Sequence, residues 1–414
     1  MSHYPVIVIG GSQAGLSISY YLKQAGIEHL ILEKHAPGHA WRTERWDNFC
    51  LVTPNWQCQL PGFPYPGHDP FGFMKKDEIL DYIDAYVDLI QPPLQTGVTV
   101  TALRQEGGRY VVESTAGSHT ADQVVLAVGG YHIPNIPRVG ERLPDTVLQV
   151  HSSRYRNAAA LPEGAVLVVG SGQSGCQIAE DLHLEGRQVH LCVGSAPRSP
   201  RRYRGRDAVE WLCDMGHYDM PVDQHPLGEK VRGKANHYLT GRDGGREIDL
   251  RRFALQGMKL HGRLTGIEGG RLLLGDDLAA NLDAADAAYM RIRAGIDAYL
   301  DEKGIAAPAE DPYVPVWQPG PVEPVLDLAA AGISTVIWAT GFRSNFTWVE
   351  VPVFDGKGYP THRRGVSAMP GLYFLGLPWL YTWGSGRFSG VARDAAYIAG
   401  LIEQGVQPLR QLSA

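Results

Sequence analysis

The chain has 414 residues, 44% hydrophobic and 20% charged, a length and balance that suit two or three soluble domains with full cores. Its formal net charge of -6 gives no ground to expect nucleic acid or an acidic membrane surface as a partner. Five cysteines with no C-x-x-C pair argue against a disulfide scaffold, and no apolar run approaches the roughly 18 residues of a membrane span, so a cytoplasmic protein is expected.

The first element is read at PVIVIGGSQAGL, residues 5–16. A short apolar strand, too close to the N-terminus to leave room for a signal peptide, runs into a glycine-rich turn and an amphipathic helix. A second strand, HLILE at 29–33, follows. The same device returns at VLVVGSGQSGCQIAEDL, 166–182, followed by VHLCV at 189–193. With an offset of 160 residues Val8 falls on Val168, Gly10 on Gly170, Gly15 on Gly175, Leu22 on Leu182 and Gly26 on Gly186. Each copy reads as a βαβ unit with the dinucleotide fingerprint, whose loop N–H groups and helix N-terminus hold a pyrophosphate. One such match is weak; two in register are strong.

The pyrophosphate contacts expected in the first copy are Gly10, Gly11, Ser12, Gln13, Ala14 and Gly15, although Ser12 stands where the fingerprint has its middle glycine. In the second they are Gly170, Gly172, Gln173, Ser174 and Gly175. Glu33, with Lys34 beside it, ends the second strand of the first copy and suits a free ribose 2′-hydroxyl. The second copy has Val193 at that offset, then Ser195 and Arg198. A carboxylate is absent and a cation is near, so this site fits NADPH, with Ser195 and Arg198 expected at the 2′-phosphate. The rest of the basic run RSPRRYRGR, 198–206, reads as a solvated face.

VVLAVGG at 124–130 and VIWATGF at 336–342 are buried-strand patterns ending in small residues, and GLYFLGL at 371–377 precedes a closing helix at 390–402. Residues 207–245 and 280–324 interrupt the second unit. The latter holds an amphipathic helix, 282–300, with Leu282, Ala285, Tyr289, Ile292, Ile296 and Leu300 on one face. It reads as a domain cap, with substrate specificity or a homodimer contact as the alternative uses. PYVPVWQPGP, 312–321, is an extended return to the first domain. In PWLYTWGSGRF, 378–388, Trp379 and Leu380 suit the core, while Tyr381, Trp383 and Phe388 suit core or a pocket loop equally. Cys50 and Cys58 are read as small apolar fillers rather than a redox pair.

The order of these motifs resembles the class B flavoprotein monooxygenases, the group of flavin-containing monooxygenases, plant YUCCA enzymes and Baeyer–Villiger relatives, and within it a bacterial subgroup. WRTERWDNF at 41–49 and TPNWQCQLPGFPY at 53–65 resemble the segment that passes near the isoalloxazine there. VHSSRY at 150–155 resembles the end of the F-x-G-x-x-x-H-x-x-x-[YFW] signature: His151 and Tyr155 match, while Asp145 and Val147 replace its phenylalanine and glycine. The resemblance implies an α/β fold of two Rossmann-like, three-layer domains of the glutathione-reductase-like flavoprotein type. An FAD domain of residues 1–155 and 322–414 would enclose an NADPH domain of 156–321. FAD would use the first unit and NADPH the second. Trp41, Arg42, Thr53, Pro54 and Gln59 would line the flavin side. Val100, Ala127, Gly129, Thr340, Gly341, Gly376 and Leu377 would complete the cofactor contacts. Asn55 would serve the chemistry or cap a turn, and His151 would orient the linker.

The implied reaction is NADPH- and O2-dependent oxygenation of a small organic molecule through a C4a-(hydro)peroxyflavin, by N- or S-oxygenation or Baeyer–Villiger insertion. No metal-ligand spacing or nucleophile elbow points elsewhere. An NADPH oxidase or reductase serving a quinone or protein acceptor, and a non-enzymatic flavin redox sensor, remain the alternatives.

Overall fold

The computed structural model describes residues 1–405. In chain order the elements that build the site are β1 (Ser2–Ile9), α1 (Gln13–Gln24), β2 (His29–Leu32), β3 (Gly117–Leu126), β4 (Leu148–His151), β5 (Ala165–Val169), α2 (Gln173–Leu184), β6 (Val189–Cys192), α3 (Ala208–Asp214), β7 (Lys259–His261), α4 (Leu278–Lys303), β8 (Ile333–Trp338), β9 (Leu372–Phe374) and α5 (Val391–Glu403).

Two parallel sheets carry the two units. In the first, β1 lies between β2 and β3, and β9 follows on the far side of β3. In the second, the order is β4, β8, β5, β6, β7, all parallel. The central strands are apolar runs because helices and loops cover both faces. Val6, Ile7 and Val8, like Val166, Leu167 and Val168, have no exposed surface. Each βαβ crossover returns its helix to the sheet. Leu16, Ile18 and Leu22 of α1 join Val391, Ala395 and Ile398 of α5 in one core.

The strand pairing revises the expected division of the chain. The sequence reading returned to the first domain at residue 322, yet β8 hydrogen-bonds between β4 and β5 of the second sheet. β4, counted with residues 1–155, is that sheet's edge. The cause is symmetry: β5 needs a parallel neighbour on its other side, as β1 has in β3. Val8 stands opposite Ile31 and Val125, and Val168 stands opposite Leu191 and Ile337. VIWATGF is therefore the second unit's counterpart of VVLAVGG. The tail of the expected first-domain segment, 406–414, lies outside the described residues.

The helix expected over 282–300 extends over Leu278–Lys303 and stops at Gly304, in the left-handed region at φ 63°. A three-stranded antiparallel meander, Val100–Glu106, Arg109–Ser114 and β3, was not foreseen. No described helix is long and apolar enough to cross a membrane.

Candidate dinucleotide sites and the cavity between them

The two fingerprint turns are the same object built twice. Gly10 has φ 105° and Gly170 φ 104°. A Cβ on Gly10 would lie 2.7 Å from the carbonyl oxygen of Ala127, and one on Gly170 2.7 Å from that of Ala339. Both conformation and space therefore demand glycine at each position. Both helices begin without a side-chain cap and without an acid in the first turn. Their first N–H groups are left for an anion, and the helix dipole favours one. The donor set fits the diphosphate of a dinucleotide in both places.

Ser12 departs from the fingerprint at no cost. It is the extended N-cap of α1 at φ -89°, a conformation any residue adopts. A Cβ on its counterpart Gly172 would meet nothing within 4 Å. Gly11, before Ser12, is crowded too: a Cβ there would lie 2.9 Å from Cβ of Glu33. Glu33 accepts hydrogen bonds from the N–H of Gly11 at 2.6 Å and of His35 at 2.8 Å, so its carboxylate borders the loop from the end of β2. Lys34 beside it is exposed. Ala14 abuts Gly376, whose Cβ would come within 2.7 Å of the Ala14 methyl. Gly129 follows β3 at φ 70° with open space around it, and Leu377 is buried. Val100 begins the meander, half-buried.

At the end of β6, the N–H of Val193 donates to the carbonyl of His261, and Ser195 is exposed. No acid stands there, as expected. Arg198, however, turns inward and is 2% exposed. Its guanidinium lies 3.2 Å from Asp249, 3.1 Å from Asp286 and 3.7 Å from Glu247, and over the rings of Tyr289 and Tyr313. These carboxylates already neutralise it, which corrects the expectation that it meets a 2′-phosphate. The expectation of a solvated basic run fails for the same reason. Arg201 is held by Asp207, Arg204 by Asp297, and Arg206 by Glu210 and Asp214, while Arg202 alone is exposed without an acid. The run is an ionic clamp that fastens the inserted segments to the second unit. The exposed cation at this edge is Arg263. β7 runs beside β6 with Cys192 opposite His261, which brings Arg263 level with Gly194. It pairs with Asp277 at 2.5 Å.

The signature residues act at the junction of the sheets. His151 Nε2 lies 3.0 Å from the Gly341 carbonyl, and its Nδ1 lies 2.9 Å from the Ser153 hydroxyl. The Nε2 side therefore carries the proton. Tyr155 donates to Asp181 of α2 at 2.7 Å. Thr340 and Asn135 bond each other's backbone carbonyls across the connection.

Between the units lies a cavity of about 500 Å³. Gln13, Trp41, Thr53 and Phe388 line it from the first unit, and Gly172, Gln173, Ser174 and Gly341 from the second. The other expected flavin-side residues do not reach it. Arg42 pairs with Asp84 on the surface, Gln59 is exposed, and Pro54 is buried behind the wall. Asn55 is also withheld: its Nδ2 donates to the Asp69 carbonyl at 2.9 Å, and its Oδ1 accepts from the Met74 N–H at 2.8 Å. It closes the loop between residues 55 and 74, which is the turn-capping alternative. Trp383 and Phe388 line the cavity, whereas Tyr381 packs on Arg364 and Trp379 and Leu380 are buried.

Sequence reasoning offered the insertions for substrate specificity or a dimer contact but assigned no residue to the third wall of the cavity. The segments interrupting the second unit supply Val209, Leu212, His217, Tyr218, His237 and Ile292. Gln173 anchors this wall, its amide bonding both the N–H and the carbonyl of Leu239. Burial lowers the His217 pKa, so its imidazole is mainly neutral at pH 7, while His237 lines the cavity from an exposed position. Cys50 and Cys58 are buried; each thiol meets a backbone carbonyl, and burial pushes both up to about 12. Neither has thiolate character.

Residues 7–212 match the model of the pyridine nucleotide-disulphide oxidoreductase family. An uncharacterized CzcO-like oxidoreductase of Geobacillus kaustophilus is 35% identical over 397 residues, 95% of this chain and 96% of that one. The probable indole-3-pyruvate monooxygenase YUCCA4 of Arabidopsis thaliana is 28% identical over 203 residues, 48% of this chain and 49% of that one. Among solved structures, a mutant flavin monooxygenase from Stenotrophomonas maltophilia superposes with a TM-score of 0.65 at 19% identity, covering 98% of this chain and 99% of that one. The ornithine N-hydroxylase of Kutzneria sp. 744, with reduced FAD, NADP+ and L-ornithine, gives 0.61 at 16% identity over 97% and 99%.

The chain belongs to the class B flavoprotein monooxygenases. As such it is an oxidoreductase, and its two turns sit where a family of two-dinucleotide enzymes needs them. This monooxygenase departs from its signature only in the residues before β4. His151 and Tyr155, which remain, carry the bonds that join the two sheets.

Proposed function

We propose that the protein binds FAD through Gly10–Gly15 and Glu33, binds NADPH through Gly170–Gly175, and oxygenates a small organic molecule in the cavity between them. The observation that carries this reading is the shared cavity. It opens on both dinucleotide turns at once and is closed by an insertion with apolar side chains and the neutral imidazole of His217. A flavin bound there and reduced by NADPH supplies the oxygen activation. The chain's own task is to align the two nucleotides, exclude water and hold the third molecule. Few acid–base groups are needed for that, which accords with the commitment of Asn55 to its loop. Arg198 serves the fold, so preference for NADPH would rest on the missing acid at Val193, on Ser195 and on Arg263.

The test follows NADPH oxidation, O2 uptake and peroxide release together while small amines, sulfides and ketones are offered in turn. One of them should raise NADPH oxidation and divert O2 from peroxide into an oxygenated product. Peroxide equal to NADPH consumed under every condition would instead identify an oxidase.

A further inference from the structure

Arg387 stands in the loop between β9 and α5 and lines the cavity. Its guanidinium lies 3.8 Å from the centre of the Trp383 ring and donates to the Trp383 carbonyl, its one hydrogen bond among the described residues. It forms no ion pair among them. Burial pulls its pKa below the ordinary guanidinium value. Arg387 is half-buried, and the fully buried arginines behave differently: Arg198, Arg201 and Arg251 each touch a carboxylate. Arg45, the second cation on the cavity, has Glu44 beside it, and Glu44 also lines the cavity.

A guanidinium cannot escape burial by losing its proton. A cation held half-buried on an enclosed cavity without a counter-charge is partly desolvated, so the cavity beside it favours an anion. The two dinucleotide turns already meet diphosphates with backbone N–H groups and helix dipoles. Arg387 instead faces the inserted wall: its stacking partner Trp383 touches the ring of Tyr218, with centroids 4.6 Å apart. That wall adds the neutral His217, which supplies a hydrogen bond without a second cation, and Val209, Leu212 and Ile292, which suit an apolar body.

We propose that Arg387 anchors a carboxylate on the molecule this enzyme oxygenates, so that its substrates are small organic acids with an apolar body. This rests on the monooxygenase reading for the word substrate, but its test needs neither NADPH oxidation nor oxygen. Holoenzyme with NADP+ is titrated, at constant ionic strength, with benzoate and hexanoate and with the matched amides benzamide and hexanamide, following the flavin absorbance. The acids should bind at least about tenfold more tightly than the amides, as a charge-assisted pair would give. In Arg387→Gln that ratio should collapse towards one, and Arg387→Lys should keep part of it. Acids that leave the flavin spectrum unchanged or bind no better than the amides would overturn the proposal. So would an Arg387→Gln protein that keeps the preference, or one purified without FAD, which would assign Arg387 to the flavin cradle. Peroxide release without product in the oxygenation assay removes the monooxygenase reading and leaves this binding result standing.

Discussion

The two dinucleotide turns share a backbone and differ in what their second strands deliver. Gly10 and Gly170 agree within a degree in φ and face the same carbonyl position on a neighbouring strand. Beyond that point the first unit brings a carboxylate against its loop, through Glu33 on the Gly11 N–H, and the second brings Val193 and an exposed serine. A duplicated frame sets where two dinucleotides lie, and single side chains at the strand ends set which two.

The largest expected effects come from breaking one frame and sparing the other. Gly10→Ala forces its Cβ to within 2.7 Å of the Ala127 oxygen, and the protein should purify largely without FAD. Gly170→Ala meets the same clash at Ala339. It should keep its FAD while losing reduction by NADPH, at least about a hundredfold if the clash costs about 3 kcal/mol. Flavin absorbance and anaerobic reduction rates check both. If both variants lost only FAD, the division of labour between the turns would be wrong.

Arg198→Ala should act on stability instead. It leaves the buried Asp249 without its cation, while Asp286 keeps Arg251, and should lower unfolding free energy by about 3 kcal/mol. The NADPH-to-NADH preference of whatever protein remains folded should not change. A changed preference with unaltered stability would restore Arg198 to the nucleotide site. Next in size, Glu33→Gln should weaken FAD by about 1.5–3 kcal/mol, because the bond to Gly11 is charge-assisted. Titration of apoprotein with FAD measures that. Arg263→Ala should reduce NADPH preference by a few-fold through loss of an exposed cation, read as the ratio of the two KM values.

The smallest effect concerns pH. His190 and His261, stacked between β6 and β7, are held near 4 chiefly by burial, against 6.5 when exposed. The unfolded chain therefore binds more protons between about pH 6.5 and 4, and stability should be complete above that window and fall as pH drops through it. Thermal unfolding across the window checks this, and His261→Asn should make the fall shallower.

The frame was legible because glycine spacing and apolar strand runs are local, and so was the Glu33–Val193 contrast, fixed by one offset. Arg198 was misread because its partners Asp249 and Asp286 arrive from an inserted helix-rich segment far along the chain, and spacing says nothing of them. β8 was placed in the wrong sheet because a strand pattern records burial, not its neighbours. The meander did leave a trace: the Gly107–Gly108 pair in QEGGRY sits between two β-prone runs, a hairpin signal of the kind a turn requires. His217, Tyr218 and His237 left none, since folding alone gathers them at the cavity.

The account stands or falls on electron flow from the second turn to the first. Its most direct measurement is anaerobic mixing of the FAD-loaded protein with NADPH or NADH in a stopped-flow spectrometer. The flavin absorbance should bleach rapidly with NADPH, more slowly with NADH, and hardly at all in Gly170→Ala. A flavin that NADPH leaves oxidised, or one that Gly170→Ala reduces as fast as the unaltered protein, would contradict it.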